Sequence, residues 1–236
     1  MQLFFCENLI LNTEVILSQE ESYHAAQVLR MRTGEFIHVT DGLGHLFKGE
    51  LINVDSKKSL VRLSEEIPQK PNITNLHIAI APTKNIDRFE WFLEKATEMG
   101  ISEITPLLCR YSERKEIKPE RLNKVIVSAA KQSHHFLFPK LNSLVKFDDF
   151  IKSTLAENKF IAHCEESDKN DFGKSIANKK SALLLIGPEG DFAEHEIHLA
   201  ISNNFSPVSL GDSRLRTETA GVYACAVFNA LAQDLS

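Results

Sequence analysis

SALLLIGPEGDF at residues 181–192, followed by VSLGDSRLRTETAG at 208–221, is the pair of segments on which the reading of this chain turns. Leu183 to Ile186 is a continuous apolar run closed by Gly187 and Pro188, the pattern of a strand buried on both faces of a parallel sheet. Glu194 to Ser202 has helical spacing, and Pro207 to Leu210 is a second short strand that stops at Gly211. Both loops then lie at carboxyl ends of strands, the crevice in which open α/β sheets bind ligands. Taken alone, GPEG is an ordinary turn and two arginines are an ordinary surface. Paired, the loops point to a small-molecule cleft. Gly187 and Gly190 let the backbone approach a ligand, and free N–H and C=O groups after a strand can read the edges of a purine. Thr217 or Ser213 is expected to cap the helix that follows, with Glu218 in its first turn. Arg214 and Arg216 are suited to bind phosphate or steady an oxyanion.

Upstream, strands alternate with helices: a strand at 76–80, an amphipathic helix at 87–99 closed by Gly100, a strand at 104–108, and a helix from Pro119 to about Ser133. A helix at 147–156 and a strand at 159–163 continue the rhythm, which predicts a mostly parallel sheet with helices on both faces. Phe89, Trp91 and Phe92 are read as core from their helical spacing. Residues 1 to about 66 differ. Ser18 and Glu21 resemble a capping box opening a short helix that ends near Arg32. FIHVTDG and HLFKGELINV read as a hairpin turning at 41–44, and several short strands suggest a compact β-barrel. EEIPQKPN at 65–72 marks the boundary between a first domain, 1–70, and a second, 71–236.

At 236 residues and 43% hydrophobic the chain can bury a substantial core. The start has no basic region followed by a long apolar run and nothing approaches membrane-spanning length, which predicts a cytoplasmic protein with no membrane partner. Cys6, Cys109, Cys164 and Cys225 are scattered, which argues against a zinc site or disulfide framework. The net charge of −5 offers no global attraction for nucleic acid, so any RNA contact must be a local patch. Arg30, Arg32 and Lys48, with His45, are candidates for one; Lys84 and Arg88 are two more RNA-binding candidates.

Several signatures are absent. Phe47 stands where a dinucleotide fingerprint beginning at Gly42 and Gly44 needs its third glycine, and there is no P-loop. His195 and His198 are three apart where a zinc-binding helix needs four, so no metal is expected and a solvated helix face is the reading. His134 and His135 are adjacent and suit a helix end. The small residues of the last helix suggest close packing, with Cys225 an inert core thiol.

The paired motifs LLIGPEGDFAEHEI and SLGDSRLRTETA closely resemble those of the SPOUT-superfamily ribosomal RNA small subunit methyltransferase E family, which methylates N3 of a uridine in 16S rRNA. DRFEWFLEKATEMGISEITPL, ERLNKVIVSAAKQS and HAAQVLRMRTGE extend the similarity over nearly the whole chain. The resemblance implies a small N-terminal PUA-like β-barrel that binds RNA, and a C-terminal SPOUT domain whose parallel sheet carries a deep trefoil knot. It further implies S-adenosylmethionine as cofactor, 16S rRNA or the small ribosomal subunit as partner, and a homodimer. Carried over by position, the cofactor loops are Leu185, Ile186, Gly187, Pro188, Glu189 and Gly190, then Leu210, Gly211, Ser213, Leu215 and Thr217. Arg216 is the first candidate for catalysis, as oxyanion stabiliser, with Arg214 beside it and Glu218 as general base. The chain departs from the family at Asp191, where a second glycine is usual, at Ser213, where arginine is common, and at Lys131, where glutamate often stands. A non-catalytic RNA-binding or assembly factor with the same fold, and a nucleotide-binding enzyme of ordinary doubly wound topology, are the competing readings.

Overall fold

The computed structural model describes residues 2–70, 74–166 and 168–232. Pro71 and Asn72 of the expected boundary lie outside the described residues. The chain divides into two compact units, Met1–Pro71 with Val127–Phe138, and Asn72–Ile126 with Pro139–Ser236.

In the first unit β1 (Leu3–Phe5), β2 (Glu14–Ile16), α1 (Gln19–Tyr23), β3 (Phe36–Thr40), β4 (Leu46–Asn53) and β5 (Leu60–Glu66) follow in chain order. Their sheet runs β1-β3-β4-β5-β2 and curls around Phe4, Leu17, Ile37, Val39, Leu51 and Val61. β3 and β4 form the expected antiparallel hairpin. Asp41 shapes its turn by accepting the Leu43 N–H at 2.8 Å, and it holds His45 at 2.6 Å. Ser18 Oγ accepts the Glu21 N–H as a cap should, but Glu21 does not complete the box. Its carboxylate is ion-paired with Lys131 instead. The helix passes into a π-helical turn at His24–Val28 and stops where Arg30 adopts φ +54, short of Arg32. The Val127–Phe138 stretch supplies Lys131 and also Phe138, whose ring lies 5.3 Å from that of Phe5.

The second unit contains β6 (Asn75–Ile80), α2 (Ile86–Glu98), β7 (Glu103–Leu108), the start of α3 (Pro119–Gln132), β8 (Lys140–Leu141), β9 (Val145–Lys146) and α4 (Phe147–Ser153). It continues with β10 (Lys159–Ala162), β11 (Asn170–Asp171), α5 (Phe172–Ile176), β12 (Ser181–Ile186), α6 (Glu194–Ser202), β13 (Ser206–Ser209) and α7 (Thr217–Ala232). The sheet order is β11-β13-β10-β12-β6-β7-β8, with β9 also on β7. Among the described residues every pairing between these strands is parallel. Ala182 to Ile186 are all buried, as a strand covered on both faces requires.

Asn85 caps α2 by accepting the Asp87 N–H, and Gly100 ends it at φ +76. Phe89, Phe92, Leu93 and Ala96 form its buried stripe. Trp91 does not belong to it: at 42% exposure it sits on the outer side, one residue off the 3.6-residue period. α4 stops at Ser153, earlier than expected, because Thr154 turns to an extended backbone.

α7 packs against α2, with Gly221 facing Phe92. A Cβ there would clash with Phe92 Cε2, and would stand 2.6 Å from Phe92 Cδ2 and 3.3 Å from Ile80 Cδ1. Cys225 on the same helix is 1% exposed, and burial pushes its thiol pKa up to about 12, so it is an inert core group. Gly221→Ala gains about 1 kcal/mol of helix propensity, and overpacking costs about 1–3 kcal/mol. We predict net destabilisation, larger for Gly221→Val, in denaturant titration; an alanine variant more stable than the native chain would contradict this packing.

Candidate functional site

β13, β10 and β12 are neighbours in the sheet, and their carboxyl ends open into a cavity of about 700 Å³. Its wall takes Ile186, Gly187, Pro188 and Glu189 from the first predicted loop. From the second it takes Leu210, Gly211, Ser213, Leu215 and Thr217, together with Arg214 and Arg216. The volume is in the range of about 300–1,000 Å³ found for small-molecule sites. Leu185 and Gly190 are not on the wall. Leu185 points into the apolar core, and a Cβ on Gly190 would meet Tyr111 Cβ at 3.3 Å. The glycines thus serve the loop's own folding: a Cβ on Gly187 would stand 3.1 Å from the Phe192 nitrogen, inside its own turn. Of the two, Gly187 lines the cavity and Gly190 does not.

Hydrogen bonds lace this turn to its surroundings. Glu189 Oε1 accepts the Lys84 N–H at 2.9 Å, and Asp191 Oδ2 accepts the Cys164 N–H at 2.7 Å. The Thr217 hydroxyl donates to the Gly187 carbonyl at 3.0 Å. Thr217 is therefore a tether rather than the expected helix cap; it is already the first residue of α7, whose opening bond runs from the Ala220 N–H to the Arg216 carbonyl. Ser213 makes no capping bond among the described residues either.

Asp191, the departure from the family pattern, fits its position. It adopts φ +66, the left-handed region that glycine enters freely and aspartate tolerates. Its other oxygen accepts the Phe192 N–H at 2.8 Å, so the side chain fixes both its own turn and the loop after β10. Farther down, the buried Glu196 carboxylate accepts the Ala193 N–H and, at 2.8 Å, the Arg110 N–H. His195 and His198 beside it are exposed, as a solvated face predicts.

The remaining predicted residues are dispersed. Arg214 and Arg216 are exposed on the cavity wall and make no ion pair among the described residues. Glu218 is not on the wall: it is buried, with Oε1 3.9 Å from Arg88 Nε and Oε2 without a hydrogen-bond partner among the described residues. Lys84 Nζ pairs with Glu113 at 2.7 Å, which raises its pKa. Arg30 and Arg32 are exposed on the first unit, and Lys48 lies over the Phe36 ring at 4.8 Å. His45 is held by Asp41, whose hydrogen bond raises the imidazole pKa.

Sequence reasoning missed the third side of the cavity, Ala162, His163, Cys164 and Lys169, because the segment after β10 carries no glycine motif. The signal was topological: a strand ending between the other two. Among the described residues no group of three or more His, Cys, Asp or Glu is placed to hold a metal ion. No described helix is long and apolar enough to cross a membrane.

Asp191→Ala removes both accepted bonds and leaves a Cβ at positive φ, while Asp191→Gly removes the bonds alone. We predict that the alanine variant is less stable than the glycine variant by about 1 kcal/mol. Hydrogen exchange at the Cys164 amide should accelerate in both. Equal stabilities, or an unchanged amide, would contradict the roles assigned to Asp191.

A family model described as an RNA methyltransferase domain matches residues 69–229, and one described as an RNA methyltransferase PUA domain matches 17–64. A crystal structure of a probable rRNA-methyltransferase from Porphyromonas gingivalis is 36% identical, with all of both chains covered and a TM-score of 0.90. The ribosomal RNA small subunit methyltransferase E of Neisseria gonorrhoeae, bound to S-adenosyl methionine, is 26% identical over 98% of each chain, with a TM-score of 0.84. A relative of that name from Rickettsia conorii is 27% identical over 91% of this chain and 89% of its own. With the three-sided cavity, the SPOUT-type sheet and the curled PUA-like sheet already in place, the match over more than half its length establishes that the chain belongs to the RNA methyltransferase family.

Proposed function

We propose that this protein transfers a methyl group from S-adenosylmethionine to N3 of a uridine in 16S rRNA, acting as a cytoplasmic homodimer. The observation that carries the reading is the cavity at the carboxyl ends of β10, β12 and β13, walled by both motif loops of this family. Its chemistry fits a nucleoside cofactor: an apolar floor at Ile186 and Val208, backbone groups of two loops, and a buried imidazole, His163, with neither nitrogen paired among the described residues. Bound there, S-adenosylmethionine supplies an electrophilic methyl group on sulfur.

The chain's own residues hold the acceptor. Methyl transfer is an in-line displacement, so positioning carries much of the rate. Neutral uridine bears a proton on N3; its loss to water leaves charge on the flanking carbonyl oxygens, and the anion takes the methyl group as S-adenosylhomocysteine is released. Arg216, exposed on the wall, would bind that charge, with Arg214 as a second cation. Glu218 is turned toward Arg88 and off the wall, which favours a role at the start of α7 over proton abstraction. We assign catalysis to a second domain, 71–236, and RNA positioning to a first, 1–70. Arg30, Arg32 and Lys48 are its phosphate contacts; Lys84 and Arg88, each facing a carboxylate, contribute less. A uridine in structured RNA must be flipped out to reach the cavity.

Calorimetry with S-adenosylmethionine, followed by labelled methyl transfer to undermethylated small subunits, tests the reading. The native chain is expected to bind and transfer. Arg216→Ala should reduce transfer by about 100-fold or more with cofactor affinity within a factor of about three. Binding without transfer by the native chain would favour a non-catalytic assembly factor, and unchanged transfer by the variant would remove Arg216 from the site.

A further inference from the structure

The loop after β10 brings into the cavity an imidazole that neither glycine motif accounts for. Because β10 pairs with β12 on one side and β13 on the other, His163 emerges between the two motif loops. It is 8% exposed and on the cavity wall, and neither ring nitrogen has a hydrogen-bond partner among the described residues. Buried polar groups in folded proteins are almost always paired, so such a ring is matched to a partner that arrives from outside the chain.

The backbone that carries the ring is held in place. Lys169 Nζ donates to the His163 carbonyl at 2.9 Å and to the Glu165 carbonyl, and the neighbouring Cys164 N–H is bound by Asp191. The charged groups around it are Lys169 and Glu165 on its own loop and Asp191 from the loop after β12. Both Asp191 oxygens are occupied by backbone N–H groups. Burial, with Lys169 second, lowers the imidazole pKa, so the ring is neutral at neutral pH and presents one donor and one acceptor. A ribose hydroxyl or an adenine edge offers the complementary pair. A sulfonium or an amino-acid terminus, being charged, is better matched by charged groups.

We propose that His163 is a ligand-contacting residue that hydrogen-bonds the nucleoside part of the bound cofactor, an assignment that rests on S-adenosylmethionine being the ligand. Ring ¹⁵N resonances of His163, assigned by their loss in His163→Asn, report this directly in the native chain. Saturating S-adenosylhomocysteine should shift them, adenosine alone should shift them likewise, and methionine should not. In calorimetry His163→Ala should weaken S-adenosylhomocysteine binding about tenfold, with asparagine, which keeps a donor and an acceptor, recovering part of the loss. If S-adenosylhomocysteine binds while the ring resonances stay put, or if methionine rather than adenosine shifts them, the His163 assignment is overturned and the cofactor reading stands. If the native chain binds no S-adenosylhomocysteine, the cofactor reading falls and this assignment falls with it.

Discussion

Three hydrogen bonds hold the turn after β12, and the cavity depends on them: Glu189 to the Lys84 N–H, Asp191 to the Cys164 N–H, and the Thr217 hydroxyl to the Gly187 carbonyl. Each reaches a different segment: the β6–α2 loop, the β10 loop and the first residue of α7. A loop at a strand end would otherwise carry backbone groups with only water to satisfy them, and its shape would be correspondingly loose. Here the bonds set the loop against its neighbours before any ligand is present. Preorganisation of this kind spares binding the cost of ordering the site.

The same lacing separates two kinds of wall. Carboxylates near the cavity that could have opposed one another are spent on backbone N–H groups: Glu189 and Asp191 at the turn and Glu196 below it. Beside them the wall carries apolar side chains such as Ile186 and Val208, Lys169 and one unpaired imidazole, while Arg214 and Arg216 stand exposed. Apolar side chains mixed with backbone polar groups suit a nucleoside. Exposed guanidinium groups suit an incoming nucleic acid in a chain whose overall charge of −5 does not itself attract one.

Much of this was legible in sequence because it rests on local rules. Leu183 to Ile186 could only be a doubly buried strand, Gly100 had to end α2, and the paired glycine loops marked two sides of the cavity. What escaped depended on tertiary neighbours. The third side, at His163 and Lys169, is defined by β10 lying between β12 and β13, and strand order leaves no local trace. Likewise α3 has one apolar period throughout, yet the stretch from Val127 groups with the first unit. Thr217 has the composition of a helix cap and serves instead as a tether, because the Gly187 carbonyl is within reach. Asp191 broke the motif as a letter and keeps it as a backbone conformation, at φ +66.

The most direct test of the central claim is nucleoside mass spectrometry of small-subunit rRNA, taken from a strain lacking this protein and again after incubation with the purified chain and S-adenosylmethionine. The account predicts that 3-methyluridine is missing at one position in the deletion strain and reappears there on incubation. Full methylation without the protein, or a methyl group restored on carbon 5 or on a ribose oxygen, would contradict it.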